Sequence, residues 1–148
     1  MSETANEQFM RLNRLWQNQD AIYHAIAVHI GLSDTDFWIL YALCEAKEPF
    51  TQNFFCEAWH YPKQTVNSAL SKLSAKGLLT LEPLPHAMNR KTLKLTEEGN
   101  NFCAQHIRPV VAANLHSFSR LSEEERNLFL SLTEKQLSLL QEEMKKTV

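Results

Sequence analysis

Between Lys63 and Lys76 the chain places Gln64, Ser68 and Ser71 at helical spacing, with Lys63, Thr65, Asn67 and Lys72 around them. Val66, Leu70 and Leu73 fall on the opposite stripe, so a helix here would hold to a core by one face and turn amides, hydroxyls and ammonium groups outward. No carboxylate stands on that outer face. Such groups bond phosphate oxygens and base edges: Asn and Gln can pair bidentately with adenine, and Lys reaches guanine or phosphate. The bland alternative is a solvated helix surface, since polar outer faces are the default. Two neighbours count against it. The helix follows a break at Tyr61-Pro62, where the residue before proline is pushed out of the helical region, and it precedes a hairpin that sets Arg90 and Lys91 at a loop tip able to enter a flanking minor groove.

Other chemistry finds less support. Cys44 and Cys103 fall on apolar helix faces and Cys56 in a hydrophobic helix; they read as buried structural thiols, kept reduced, since none forms a CxxC and three cannot all pair within one chain. Cys103 and His106 have metal-ligand spacing, yet a tetrahedral site needs more ligands, and no HxxxH or HExxH is present. The lone glycines at 31, 77 and 99 cannot make a phosphate-binding loop. There is no nucleophile elbow or paired-carboxylate motif, and the acidic residues cluster at helix starts, where capping explains them. The expectation is a non-enzyme without cofactor or metal. Apolar stretches fall far short of the roughly 18 residues that span a bilayer, and residues 1–8 are polar and acidic, unlike a signal peptide, so no membrane partner and a cytoplasmic location are expected.

The chain has 148 residues and a net charge of −2, which on its face disfavours a polyanionic partner. That sum hides a local field. Residues 1–50 carry −4, residues 51–95 carry +4 and residues 96–148 carry −2. The basic third contains the polar helix and the hairpin.

The elements that must position these groups follow from periodicity and caps. Phe9, Leu12, Leu15, Trp16, Ile22, Tyr23, Ile26, Ala27 and Ile30 predict a first helix stopped by Gly31. Ser33 caps a second, with Asp34 and Asp36 in its first turn and Phe37, Leu40, Leu43 and Cys44 on its inner face, stopped by Pro49. A third is expected from Thr51 through Trp59, and a fourth opens at Pro62 and closes at Gly77. The period then changes to 2 in residues 79–82 and 92–95, two strands joined by residues 83–91. Thr96 caps a fifth helix, which Pro109 should kink, and Ser122 with Glu125 forms a capping box for a last helix bearing Leu128, Phe129, Leu132, Leu139, Leu140 and Met144.

The run from Pro62 to Leu79, the Asn89-Arg90-Lys91 hairpin, the Leu95-to-Gly99 segment and the preceding helix from Leu32-Ser33 resemble the MarR family of bacterial transcriptional regulators, over roughly residues 30–115. The resemblance implies a mainly α fold with a small β-hairpin: one MarR-type domain over residues 1–148. Its winged helix-turn-helix lobe would span 33–96, and residues 1–31 and 97–148 would form a helical dimerisation region. It implies a homodimeric repressor that binds double-stranded DNA at a near-palindromic operator through recognition helix 62–76 and wing 83–91. By position, Pro62, Lys63, Gln64, Thr65, Asn67, Ser68, Ser71 and Lys72 fall on the reading helix, with Arg90 and Lys91 on the wing. Ala87, Met88 and Asn89 depart from the acidic and arginine residues common at that tip, and Ser68 stands where arginine is common, implying fewer ionic contacts. Members often release DNA on binding a small aromatic effector, and Trp16, Tyr23, His24, Trp38 and Tyr41 could line such a cleft, although aromatics at helical spacing are more often core. The alternatives are a winged-helix module that binds protein rather than DNA, and a redox- or metal-responsive switch on the same scaffold.

Overall fold

The computed structural model describes residues 3–84, 86 and 90–147. They form two compact units, residues 1–108 and 109–148.

In the first unit, α1 (Ala5–His29) begins at a capping box in which Thr4 and Glu7 satisfy each other's backbone N–H groups. The Thr4 N–H bond, then the Thr4 hydroxyl, hold the Glu7 carboxyl below the usual carboxylate range. Gly31 ends the helix at φ +76°, with Leu32 N–H donating to the Ala27 carbonyl and Gly31 N–H to Val28, a Schellman stop that needs the left-handed region. Ser33 caps α2 (Asp34–Glu45) by accepting from the Asp36 N–H at 3.1 Å. The helix stops at Glu45, ahead of Pro49, as Ala46 turns extended.

Between α2 and the polar helix the structure departs from expectation. Phe50–Thr51 is a short strand, β1, and α3 is only Phe54–Glu57, not a helix from Thr51 through Trp59. Two residues of strand carry no readable period, and β1 exists only because it pairs with a distant strand. The α3 turn ends early because His60 takes φ +56° and Tyr61 N–H folds back onto the Phe55 carbonyl, while Phe54, Phe55, Trp59 and Tyr61 pack edge to face. Then α4 (Lys63–Ala75) starts at Pro62 and ends on a second Schellman stop at Gly77, φ +73°.

The hairpin pairs β2 (Leu79–Pro83) with β3 (Lys91–Leu95), and β1 adds to the far edge of β3, giving the order β1-β3-β2, all antiparallel. Lys91 is the first residue of β3, opposite Pro83 at the loop end of the ladder and next to Arg90. Residues 85 and 87–89, including the Ala87-Met88-Asn89 departure, lie outside the described residues. Thr96 caps α5 (Glu97–Phe102), whose Gly99 lies so close to the Leu78 backbone that a Cβ would meet its carbonyl oxygen at 1.8 Å.

α5 runs into a π turn, Cys103–Ile107, and then α6 (Arg108–Ser119). Pro109 cannot donate to a carbonyl one turn back, and the expected interruption takes the form of this wider turn just upstream. One expectation is overturned here: Cys44 and Cys103 are not thiols but a disulfide, Cα–Cα 6.2 Å, linking α2 to the π turn; Cys56 is free. Helical spacing sets Cys44 and Cys103 each on an apolar face, but periodicity cannot say that two faces 59 residues apart meet. The bond also removes Cys103 as a partner of His106 for a metal. The core of this unit contains Phe37, Ile39, Leu40, Phe55, Val66, Leu70, Leu73, Leu79, Leu93 and Ile107.

The second unit contains most of α6 and all of α7 (Glu123–Thr147), joined through a capping box in which Ser122 N–H donates to Glu125 and Glu125 N–H to Ser122. Phe118 and Phe129 meet edge to face. Leu128, Phe129, Leu132, Leu139, Leu140 and Met144 are exposed, as are Phe9, Met10, Leu15, Trp16 and Ile22 on α1.

Candidate nucleic-acid interface

Val66, Ala69, Leu70 and Leu73 are buried at three- and four-residue spacing, which fixes the rotation of α4 about its axis. Pro62, Lys63, Gln64, Thr65, Asn67, Ser68, Ser71 and Lys72 are consequently all exposed. The end of α4 is tied down by Lys76, whose Nζ donates to the Gly31 carbonyl at 3.0 Å. Because the face carries no carboxylate, its amides, hydroxyls and ammonium groups are not neutralised along their own helix. Arg90 is exposed at the hairpin, where its carbonyl accepts from Leu84 N–H at 3.0 Å. Lys94 on β3 is held by Glu82 at 3.7 Å, leaving Lys91 and Arg90 as the wing cations without a described ion pair.

A cleft of about 470 Å³ opens where the start of α2 meets α4, lined by Ser33, Thr35, Asp36, Pro62, Gln64, Thr65, Ser68, Ala69 and Lys72. It joins the helix-start hydroxyls to the polar face and was not visible in the spacing of either helix alone. Asp36 is 3% exposed, and its Oδ1 has no hydrogen-bond partner among the described residues. Its backbone role as third residue of the cap was legible; its burial beside the polar helix was not. Tyr61, at the turn before α4, has its phenol pushed above the ordinary value first by burial and then by the charge of Asp34, so it stays a neutral hydroxyl.

Gln52 is a second residue missed in the sequence. Its amide donates to Asn67 Oδ1 across the gap between the turn after β1 and α4, and its backbone N–H donates to the Lys91 carbonyl at 3.4 Å. No local signal marks a contact of this separation.

The aromatic residues divide. Tyr23, Trp38 and Tyr41 come together: ring centroids are 4.8 Å apart for Tyr23–Trp38 and 5.4 Å for Trp38–Tyr41, around the buried Phe37. His24 instead pairs with Asp34 at 2.9 Å, and Trp16, 45% exposed, lies on α1 outside that cluster. Two clefts are described on the first unit, and neither is lined by any of these five residues.

Residues 30–87 match the MarR family. No curated protein matches the chain at a significant level. Among solved structures, MepR of Staphylococcus aureus in its DNA-binding conformation is similar with a TM-score of 0.75 at 22% identity, covering 89% of this chain and 98% of that one. A putative MarR family regulator from Listeria monocytogenes, complexed with a 26mer DNA, gives 0.71 at 18% identity, covering 97% and 92%. BpsR of Bordetella bronchiseptica, whose DNA binding is regulated by 6-hydroxynicotinic acid, gives 0.67 at 18% identity, covering 92% and 96%. The chain has the winged-helix fold of MarR regulators.

Proposed function

We propose that this chain, which carries the MarR fold and matches that family over residues 30–87, is a homodimeric transcriptional regulator that binds a near-palindromic operator and represses. The observation that carries the reading is the exposed, carboxylate-free face of α4, from Lys63 to Lys72, in the most basic third of an otherwise acidic chain. Pro62, Lys63, Gln64, Thr65, Asn67, Ser68, Ser71 and Lys72 would enter the major groove, and Arg90 and Lys91 the flanking backbone and minor groove. DNA-bound relatives of the same fold support this, as do the uncovered apolar side chains of α1 and α7, which suit a second copy of the chain as partner. An aromatic effector is supported by the regulation of BpsR and by the Tyr23–Trp38–Tyr41 cluster; His24, which pairs with Asp34, and Trp16, which lies outside the cluster, are candidates from the spacing along α1 alone. A polarisation titration at low salt against duplex DNA from upstream of its own coding region tests the reading: saturable binding that weakens steeply with salt is expected, and no binding would overturn it.

One observation favours a second, compatible reading, a redox-responsive switch. The Cys44–Cys103 pair sits within the unit that carries α4. Two thiols there would give up two protons and two electrons to a hydroperoxide, leaving a disulfide, an alcohol and water. Release or recovery of DNA on reduction, absent in Cys44→Ser, distinguishes this reading from small-molecule sensing.

A further inference from the structure

The hairpin runs on from the end of α4, and hydrogen bonds tie it down there: Thr96 Oγ1 donates to the Gly77 carbonyl at 2.5 Å and Thr96 N–H to the Leu78 carbonyl at 3.1 Å. From that end the ladder runs from Leu79 opposite Leu95 to Pro83 opposite Lys91, about 13 Å at the rise of a strand. Arg90 and Lys91 therefore stand well away from the attachment. A hairpin held only at its near end can change its angle to the helix, because the apolar packing beneath it is non-directional. A second tie stands at the far end. Gln52 follows β1, its N–H donates to the Lys91 carbonyl at 3.4 Å, and its Nε2 donates to Asn67 Oδ1 on α4. Asn67 precedes Gly77 by ten residues, about 15 Å along the helix axis. Among the described residues it is the one side chain of the reading face with a hydrogen bond to a side chain outside α4.

Two primary amides joined in this way can turn over together and keep their bond, since each offers a carbonyl acceptor and an NH₂ donor. The contact therefore fixes the distance between the sheet and α4 and selects neither end of the Asn67 amide. Attachment at both ends of the ladder sets the angle between hairpin and helix. We infer that Gln52 is a positioning residue that braces the wing against α4 through Asn67, so that the Arg90–Lys91 end of the hairpin meets the flanking backbone when α4 sits in the major groove. Asn67, an uncharged residue of the reading face, then governs phosphate contacts made by cations of the wing. Lys72 stands on α4 itself, so its contact is independent of the brace. The inference rests on the DNA-binding reading above and adds to it what sets the wing.

The test is a salt series of polarisation titrations on one duplex that the full-length wild type selects from a randomised library. The slope of log affinity against log salt counts phosphate contacts. Arg90→Ala/Lys91→Ala should lower it by about 2 per subunit, one for each lost cation. Gln52→Ala and Asn67→Ala remove no charge, yet each should lower it by about 1 per subunit, because an unbraced wing is docked for only part of the time. Loss of a base contact in Asn67→Ala lowers affinity at every salt concentration and leaves the slope alone. Adding Asn67→Ala to Arg90→Ala/Lys91→Ala should change the slope no further, whereas adding it to Lys72→Ala should lower the slope by as much as it does alone. Gln52→Asn should behave as Gln52→Ala, and Gln52→Asn/Asn67→Gln, which restores the summed length of the two amides, should recover the wild-type slope. Wild-type slopes for Gln52→Ala and Asn67→Ala, an equal fall with and without the wing cations, or a wild-type slope for Arg90→Ala/Lys91→Ala would overturn the inference while the DNA reading stands. No enrichment of any duplex by the wild type would overturn both.

Discussion

Reduction of the Cys44–Cys103 disulfide is the perturbation with the most readily calculated cost. The bond closes a loop of 59 residues, and loop closure of that length withdraws about 14 cal/mol/K from the unfolded chain, or about 4 kcal/mol at 25 °C. Reduction leaves both sulfurs in place, so it adds almost no cavity and isolates the cross-link. Cys103→Ser, by contrast, would set a hydroxyl at a position that is fully buried, adding about 1–3 kcal/mol of desolvation if it finds no partner. The assay is urea unfolding followed by helical circular dichroism, at one protein concentration, with and without a phosphine reductant. With a urea slope of about 2 kcal/mol/M, the midpoint should fall by roughly 2 M on reduction. A Cys44→Ala/Cys103→Ala variant should show no response to the reductant. Alkylation of the unfolded, unreduced protein should label one cysteine, Cys56. Three labelled cysteines, or a difference in stability below about 1 kcal/mol, would refute the reasoning.

Three further outcomes follow from particular residues. His60 holds φ +56°, so His60→Gly should stabilise the first unit by about 0.5–1 kcal/mol and His60→Val should destabilise it, both read by thermal unfolding; the opposite order would mean the turn does not impose this backbone. Gly99→Ala would drive a Cβ into the Leu78 carbonyl and should cost about 3 kcal/mol, enough to lower the melting temperature by roughly 10 °C; an unchanged melting temperature would contradict that close approach. Lys72→Ala should weaken DNA binding about equally on all sequences and reduce the slope of log affinity against log salt by about 1 per subunit, and an unchanged slope would remove Lys72 from the phosphate contacts.

Much of the scaffold was legible because its signals are local. Gly31 and Gly77 stop helices through a left-handed residue, and Ser33 and Thr96 cap the helices that follow them. The rotation of α4, and with it the exposed face from Lys63 to Lys72, follows from the 3.6-residue spacing of Val66, Leu70 and Leu73. What was hidden depends on partners far along the chain. β1 is two residues long and is a strand only beside Leu93 and Thr92. The Cys44–Cys103 bond needs two helix faces to meet, and the Gln52–Asn67 bond needs the sheet to sit beside α4. His60 is a left-handed residue without glycine, so no residue type announced the early end of α3. Among the aromatic residues, α2 gathers Trp38 and Tyr41 with Tyr23, while Asp34 at the start of α2 engages His24, a pairing that helical spacing within either helix could not reveal.

A helix-turn-helix dimer that sets two copies of α4 into successive major grooves protects DNA in a defined pattern. Hydroxyl-radical footprinting of the wild type on a duplex taken from the selected library reads that pattern directly. Two protected tracts related by a two-fold axis, with centres about 10 bp or a small multiple of one helical turn apart, are the predicted result. A single unpaired tract, or binding that leaves the duplex uniformly cleaved, would contradict a dimer reading its operator through Lys63 to Lys72.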